Sequence, residues 1–359
     1  MKRISKLTVL FAATAAAAAG CGSAPVSSNS TTSASFTACM VTDIGGLNDH
    51  SFNEGSWQGM QDAASASKGK IQVKNATSAT ENDYTTNING FIGGNCGLIV
   101  TVGYDMADAT AAAAKKNPTQ KFAIVDYGST GTTIKGLQFD TAQGAFLGGY
   151  FAAAMTKTGK VATFGGQNIP TVTVYMDGFW EGVQYYNQTQ NKNVQVLGWN
   201  ETTQQGTFDS SDNQFADEQG GEQMTQTFAQ QGADIVFPVA GGTGIGALAA
   251  ARASNGAINV IWVDNDGYFS NQAYYQPYIM TSVVKGLSPA VETAVNDTYA
   301  GKFTATSYIG TLANNGTGLA PYHDWASKVP ASLTSQLNTI KSDIENGTIK
   351  LKSKNQPTA

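Results

Sequence analysis

The sequence predicts an α/β fold of two doubly wound lobes, each built on a parallel sheet. Short apolar strand segments alternate with helix-length segments from Thr37 onward, and the alternation runs through two successive series. The 359 residues also exceed what one hydrophobic core usually supports.

The N-terminus reads as a secretory signal over residues 1–20. Basic Lys2, Arg3 and Lys6 precede an uninterrupted apolar and small-residue run from Leu7 to Gly20. That run is shorter than the about 20 apolar residues a membrane span needs. Ala18, Ala19 and Gly20 fit a peptidase cleft, and Cys21 behind them resembles the bacterial lipobox cysteine, whose thiol takes a diacylglycerol; Ala18 stands where that pattern prefers Leu. The resemblance implies lipidation at Cys21, an extracytoplasmic location and a membrane anchor made of lipid. Residues 21–35 are polar, with almost nothing to bury, and read as a flexible tether. Without the three signal cations, 18 of the 21 basic residues face 26 acidic ones, a formal charge of −8. With charged residues only 13% of the chain and no basic run, nucleic acid is excluded as an expected partner.

The first series offers strands at Ala38 to Thr42, Ile71 to Lys74, Leu98 to Val102, Lys121 to Val125 and Ile134 to Phe139, with helices between them at Phe52 to Ser67, Tyr84 to Gly93 and Met106 to Asn117. The second offers Lys160 to Phe164, Val194 to Trp199, Ile235 to Val239 and Val260 to Val263, separated by helices near Val172 to Gln188, Gly221 to Gln231 and Gly244 to Ala253. One late strand, Tyr278 to Val284, needs a sheet. Returning it to the first lobe gives lobe 1 as 36–139 plus 266–305 and lobe 2 as 140–265 plus 306–359, joined by a hinge of several crossings.

Cys39 and Cys96 each stand just ahead of an apolar run. If those runs are neighbouring parallel strands, the thiols lie side by side and can oxidise outside the cell, contributing about 4 kcal/mol in the chain-entropy model. Two buried free thiols are the alternative, since free Cys packs as a small hydrophobe.

The most informative segment, Asp43 to Gly59, joins the first strand to the first helix at the carboxyl edge where open α/β sheets place ligands. Gly45 and Gly46 allow a sharp turn, Asp49 or Ser51 can cap the helix, and Phe52 projects from its first turn beside Asn53. An aromatic face next to an amide can hold a flat polar heterocycle. Stacking of this kind is worth about 1 to 3 kcal/mol.

This segment resembles the signature of the basic membrane protein family, the Med/PnrA-like nucleoside receptors among ABC substrate-binding lipoproteins: Asp-x-Gly-Gly-x-x-Asp-x-Ser-Phe-Asn, then an aromatic residue and Gly. The likeness continues through Val102-Gly103-Tyr104, Val125-Asp126, Asp177-Gly178-Phe179, Gly206-Thr207-Phe208-Asp209, Val239 to Gly244, Val263 to Asp266 and Ser282 to Lys285. It implies a type I periplasmic-binding-protein fold and a monomer that takes a nucleoside ligand, purine favoured, to an ABC transporter permease. It further implies that Phe52 and Phe179, one from each lobe, sandwich the base, and that Asn53 and Asp126 bond its edge. Asp264 and Lys285, with the backbone near Gly241, would hold the ribose; Asp43, Asp49 and Asp266 complete the expected binding set.

Two departures from the pattern stand out. His50 occupies a position where the family often has Lys, Arg or Gln, and Trp180 follows Phe179 where smaller or polar residues are common. Only His50 and His323 occur in the chain, which removes the commonest general base from most catalytic schemes, so no enzyme and no cofactor are expected. Asp209, Asp212, Asp217 and Glu218 lack the spacing of a calcium loop, and no metal site is expected. Gly241 to Gly246 lacks the Gly-Lys-Ser/Thr ending of a phosphate loop and reads as a neutral backbone donor. The alternatives are a receptor of the same fold for a sugar or other small polar ligand, a nucleoside-cleaving enzyme, and a surface sensor or adhesin.

Overall fold

The computed structural model describes residues 36–358; the signal, the tether from Cys21 to residue 35 and the lipidation site lie outside the described residues. In chain order the first lobe is built by β1 (Phe36–Thr42), α1 (Phe52–Ala66), β2 (Ile71–Ala76), α2 (Asp83–Gly93), β3 (Leu98–Val102), α3 (Ala107–Lys116), β4 (Phe122–Val125) and β5 (Ile134–Phe139). The second lobe follows with α4 (Thr141–Met155), β6 (Lys160–Gly165), α5 (Pro170–Gln190), β7 (Gln195–Leu197), β8 (Trp199–Asn200), β9 (Gln205–Gly206), α6 (Glu218–Gln230), β10 (Ile235–Val239), α7 (Thr243–Ala253), β11 (Asn259–Asp264), α8 (Gly267–Ser270) and β12 (Ile279–Lys285). The chain then returns to the first lobe with α9 (Leu287–Tyr299) and β13 (Tyr308–Gly310). It crosses back for β14 (Thr317–Leu319) and α10 (Ala331–Glu345).

The first sheet runs β13-β5-β4-β3-β1-β2, parallel throughout, and the second runs β14-β12-β11-β10-β6-β7, parallel except for β14. β3, β4 and β10 are buried at every position, because helices cover both faces of each sheet and leave no solvated side on which polar residues could alternate.

The late strand is a correction to the sequence reading. β12 pairs with β11 in the second lobe, Trp262 opposite Ser282 and Asp264 opposite Val284, and does not return to the first. Periodicity identifies a strand but not its sheet. The crossing comes after β12, at Gly286, and it is α9 that comes back, packing on α1 through Leu287, Val291 and Val295 in the first lobe's core. Residues 266–285 therefore belong with the second lobe.

Three crossings join the lobes, at Asp140, at Gly286 and between Gly310 and Thr317, and they bond to one another. The Asp140 amide donates to the Gly310 carbonyl (2.7 Å) and the Gly286 amide to the Gly316 carbonyl (2.9 Å). Gly310 and Gly316 approach so closely that neither leaves room for a Cβ on the other. Cys39, on β1, and Cys96, just before the neighbouring β3, form a disulfide with Cα atoms 6.0 Å apart.

Candidate functional site

The carboxyl ends of both sheets meet across one cavity of about 560 Å³, its open mouth included. From the first lobe come Asp43 after β1, Asp49, Phe52 and Asn53 at the start of α1, Tyr104 and Asp105 after β3, and Asp126 after β4. The second lobe contributes Tyr175 from α5, Phe215 from the loop before α6, Gly241 after β10, and Asp264 and Lys285 at the ends of β11 and β12.

The start of α1 is organised by Asp49. Its carboxylate accepts the backbone amides of Ser51 (3.1 Å), Asn53 (2.7 Å) and Glu54 (3.1 Å), satisfying donors that the first helical turn leaves unpaired. Asp49, not Ser51, is thus the cap. The Asn53 side-chain amide donates to Asp43 (2.7 Å) and to Asp49 (3.2 Å). Flanked by two carboxylates, Nδ2 can point only toward them, so Oδ1 is left as a buried acceptor with no partner in the protein. Burial pushes the Asp43 carboxyl up to about 6 and that of Asp49 up to about 7, against the opposing pull of these hydrogen bonds.

Across the cavity, Lys285 Nζ donates to Asp126 Oδ2 at 2.6 Å, a buried ion pair that spans the lobes. The same ammonium lies 4.6 Å from the centroid of the Phe52 ring. Burial pushes the Asp126 carboxyl up and Lys285 draws it back. Asp264 accepts from the Tyr175 hydroxyl (2.6 Å) on one oxygen and from the Ser51 hydroxyl (2.7 Å) on the other. Asp126 and Asp264 occupy equivalent places at the ends of β4 and β11, and both hold left-handed backbone, φ 68° and 64°. Non-glycine residues are uncommon there and cost of order 1–3 kcal/mol, a strain that clusters at functional sites.

Of the residues expected from sequence, Asp43, Asp49, Phe52, Asn53, Asp126, Gly241, Asp264 and Lys285 line this cavity. Two do not. Phe179 is fully buried in the second lobe's core, its ring 5.3 Å from that of Phe237, and its carbonyl presses on α4 where Gly149 leaves no room for a Cβ. It lies one helical turn beyond Tyr175, deeper along α5, and cannot stack on a cleft ligand. Trp180 packs on the same core. Asp266 turns away to accept the Tyr268 amide at the start of α8 (3.3 Å) and to bond His323 Nε2 (2.8 Å).

Sequence reasoning missed Tyr175 and Phe215. Tyr175 sits four residues before Phe179 on the same face of α5, a spacing that was in view. Phe215 lies in a polar loop with no periodicity to mark it. That loop is latched to the start of α7, where the Thr243 amide donates to the Phe215 carbonyl (3.3 Å) and the Thr243 hydroxyl to that of Gln214 (3.0 Å), which brings the Phe215 Cβ near Gly45 and its ring against Gly166. The acidic stretch beside it does structural work: Asp217 caps α6 through the Gly220 amide (2.9 Å) and Asp209 accepts the Ser211 amide (2.8 Å).

Over residues 36–310 the chain matches the Bmp family, described as ABC transporter substrate-binding protein PnrA-like. It is 31% identical to the CD4+ T-cell-stimulating antigen of Listeria innocua, with 89% of this chain and 88% of that protein covered. It is 29% identical to the ABC transporter nucleoside-binding protein BmpA of Lactococcus lactis, with 98% and 99% covered. Among solved structures it is similar to an ABC transporter solute-binding protein of Aeropyrum pernix, with TM-score 0.76, 23% identity, and 90% of this chain and 94% of that chain covered. At that identity the likeness speaks to the fold, which is the type I periplasmic-binding-protein fold.

Proposed function

The chain belongs to the family of PnrA-like ABC transporter substrate-binding proteins, and from that membership we propose that its cleft carries a nucleoside, a purine nucleoside in preference. The base lies against Phe52 with Phe215 as the opposing wall, its edge at Asn53, and the ribose hydroxyls reach Asp264 and Lys285. The observation that carries this reading is the Asn53 amide: its Oδ1 is a buried acceptor without a partner, fixed beside an aromatic face. A base N–H or exocyclic amine satisfies it, removing a penalty of about 1–3 kcal/mol.

Charge supports the same class. Five buried or half-buried carboxylates, Asp43, Asp49, Asp105, Asp126 and Asp264, face a single ammonium, Lys285. Such a cavity favours a neutral ligand rich in donors and disfavours a phosphorylated one. The Lactococcus lactis relative carries nucleoside binding in its name. Closure of the lobes over the ligand is what the permease reads, and lipid on Cys21 holds the protein at the membrane; fatty-acid labelling that is lost in Cys21→Ser tests the anchor.

Calorimetry on the protein without its lipid tests the ligand class. Inosine and guanosine should bind, ribose and free hypoxanthine far more weakly, and inosine monophosphate more weakly than inosine. Equal affinity for ribose and inosine would turn the reading into a sugar receptor. The cleft binds without catalysis, so incubation with inosine should release no hypoxanthine.

A further inference from the structure

Resting on the nucleoside reading, we propose that Ser51 is a positioning residue that couples ribose recognition to lobe closure by holding the Asp264 carboxylate from the opposite lobe. Asp264 stands at the end of β11 with one donor on each oxygen: Tyr175 on Oδ1 (2.6 Å) and Ser51 on Oδ2 (2.7 Å). Tyr175 and Asp264 belong to the same lobe, so that bond survives opening. Ser51 belongs to the first lobe, and its bond exists only when the lobes meet.

The surroundings of Ser51 serve this contact. Asp49 takes over the capping of α1, which frees the Ser51 hydroxyl for the other lobe. The backbone of the segment is held there as well: Asn265 Nδ2 donates to the Ser51 carbonyl (2.8 Å), while Trp262 Nε1 (3.1 Å) and the Ser270 hydroxyl (2.8 Å) donate to the His50 carbonyl. A carboxylate oxygen can accept more than one hydrogen bond, so two fixed donors orient Asp264 and still leave an acceptor on each oxygen for the two hydroxyls of a ribose. With the lobes apart, one donor is missing and the carboxylate is free to turn. A vicinal diol is therefore read in full only in the closed form.

Calorimetry with inosine and with 2′,3′-dideoxyinosine on the wild-type protein, Ser51→Ala and Tyr175→Phe tests this. Each substitution should weaken inosine binding by about tenfold or more, the loss of one hydrogen bond to a charged group; Tyr175→Phe should leave dideoxyinosine, which has no diol to present, within about twofold of wild type, and Ser51→Ala, which also loses a bond of the closed form, should weaken dideoxyinosine less than inosine. A purely structural role would weaken both ligands equally, and that outcome, or no loss for inosine, overturns the inference while the nucleoside reading stands. If Ser51→Ala does not fold, Tyr175→Phe, which keeps the ring in place, carries the same comparison for the Asp264 clamp and Ser51→Thr, which keeps the hydroxyl, should hold the wild-type ratio of the two affinities. Failure of the wild-type protein to bind any nucleoside removes the reading and this inference together.

Discussion

Phe179, which family likeness places in the cleft, lies in the second lobe's core, and helix geometry explains why. Tyr175 and Phe179 share a face of α5, but only the residue nearer the helix start reaches the strand ends where the cleft opens. Phe179→Ala should therefore cost about 3–5 kcal/mol in denaturant unfolding. Phe215→Ala should leave stability nearly intact and remove most nucleoside affinity, as should Phe52→Ala. The reverse pattern would place the base elsewhere.

The buried carboxylates give a second test at this scale. Asp43 and Asp49 titrate near 6 and 7 in the folded protein, both raised from an ordinary value of 3.8 by burial. A carboxyl raised on folding contributes stability that is complete below pH about 4 and is lost as pH rises through its folded value. Between pH 4 and 8, the thermal midpoint of the ligand-free Asp43→Asn protein should fall less than that of wild type, because the amide keeps the acceptor for Asn53 and carries no charge to bury. Parallel curves for the two proteins would contradict that assignment.

At the scale of elements, most of the fold was legible. β3, β4 and β10 announce themselves as short apolar runs, and the turn from Asp43 to Phe52 as a Gly-Gly bend followed by a capped helix. The sheet that receives β12 was not legible, because pairing is a long-range choice that a local pattern does not encode. Asp266 was misplaced for a related reason. Two residues past the end of β11 the chain has turned, and its side chain caps α8 instead of facing the cleft. The Cys39–Cys96 disulfide ties β1 to the start of β3, two interior strands of the first sheet, and neither cysteine lines the cleft. Replacing both cysteines with Ala should lower stability by about 2–4 kcal/mol in urea unfolding while affinity stays within about twofold of wild type. A large loss of affinity would mean that the disulfide also shapes the cleft.

For the whole molecule, the decisive feature is that each lobe completes the other's half of the site. Lys285 of the second lobe neutralises Asp126 of the first, and Ser51 of the first holds Asp264 of the second. Sequence placed Asp126, Asp264 and Lys285 in the site through family likeness; the partnership of Ser51 with Asp264, separated by 213 residues, has no local signature. The crossings at Asp140, Gly286 and Gly310 bond to one another, so they can serve as one hinge about which the halves separate.

A crystal structure of the protein with bound inosine tests the nucleoside assignment. The base should lie between the Phe52 and Phe215 rings with its edge at Asn53 Oδ1, and the ribose 2′ and 3′ hydroxyls should meet Asp264 and Lys285. A ribose against Phe52, or a nucleoside bound outside the space between the lobes, would contradict it.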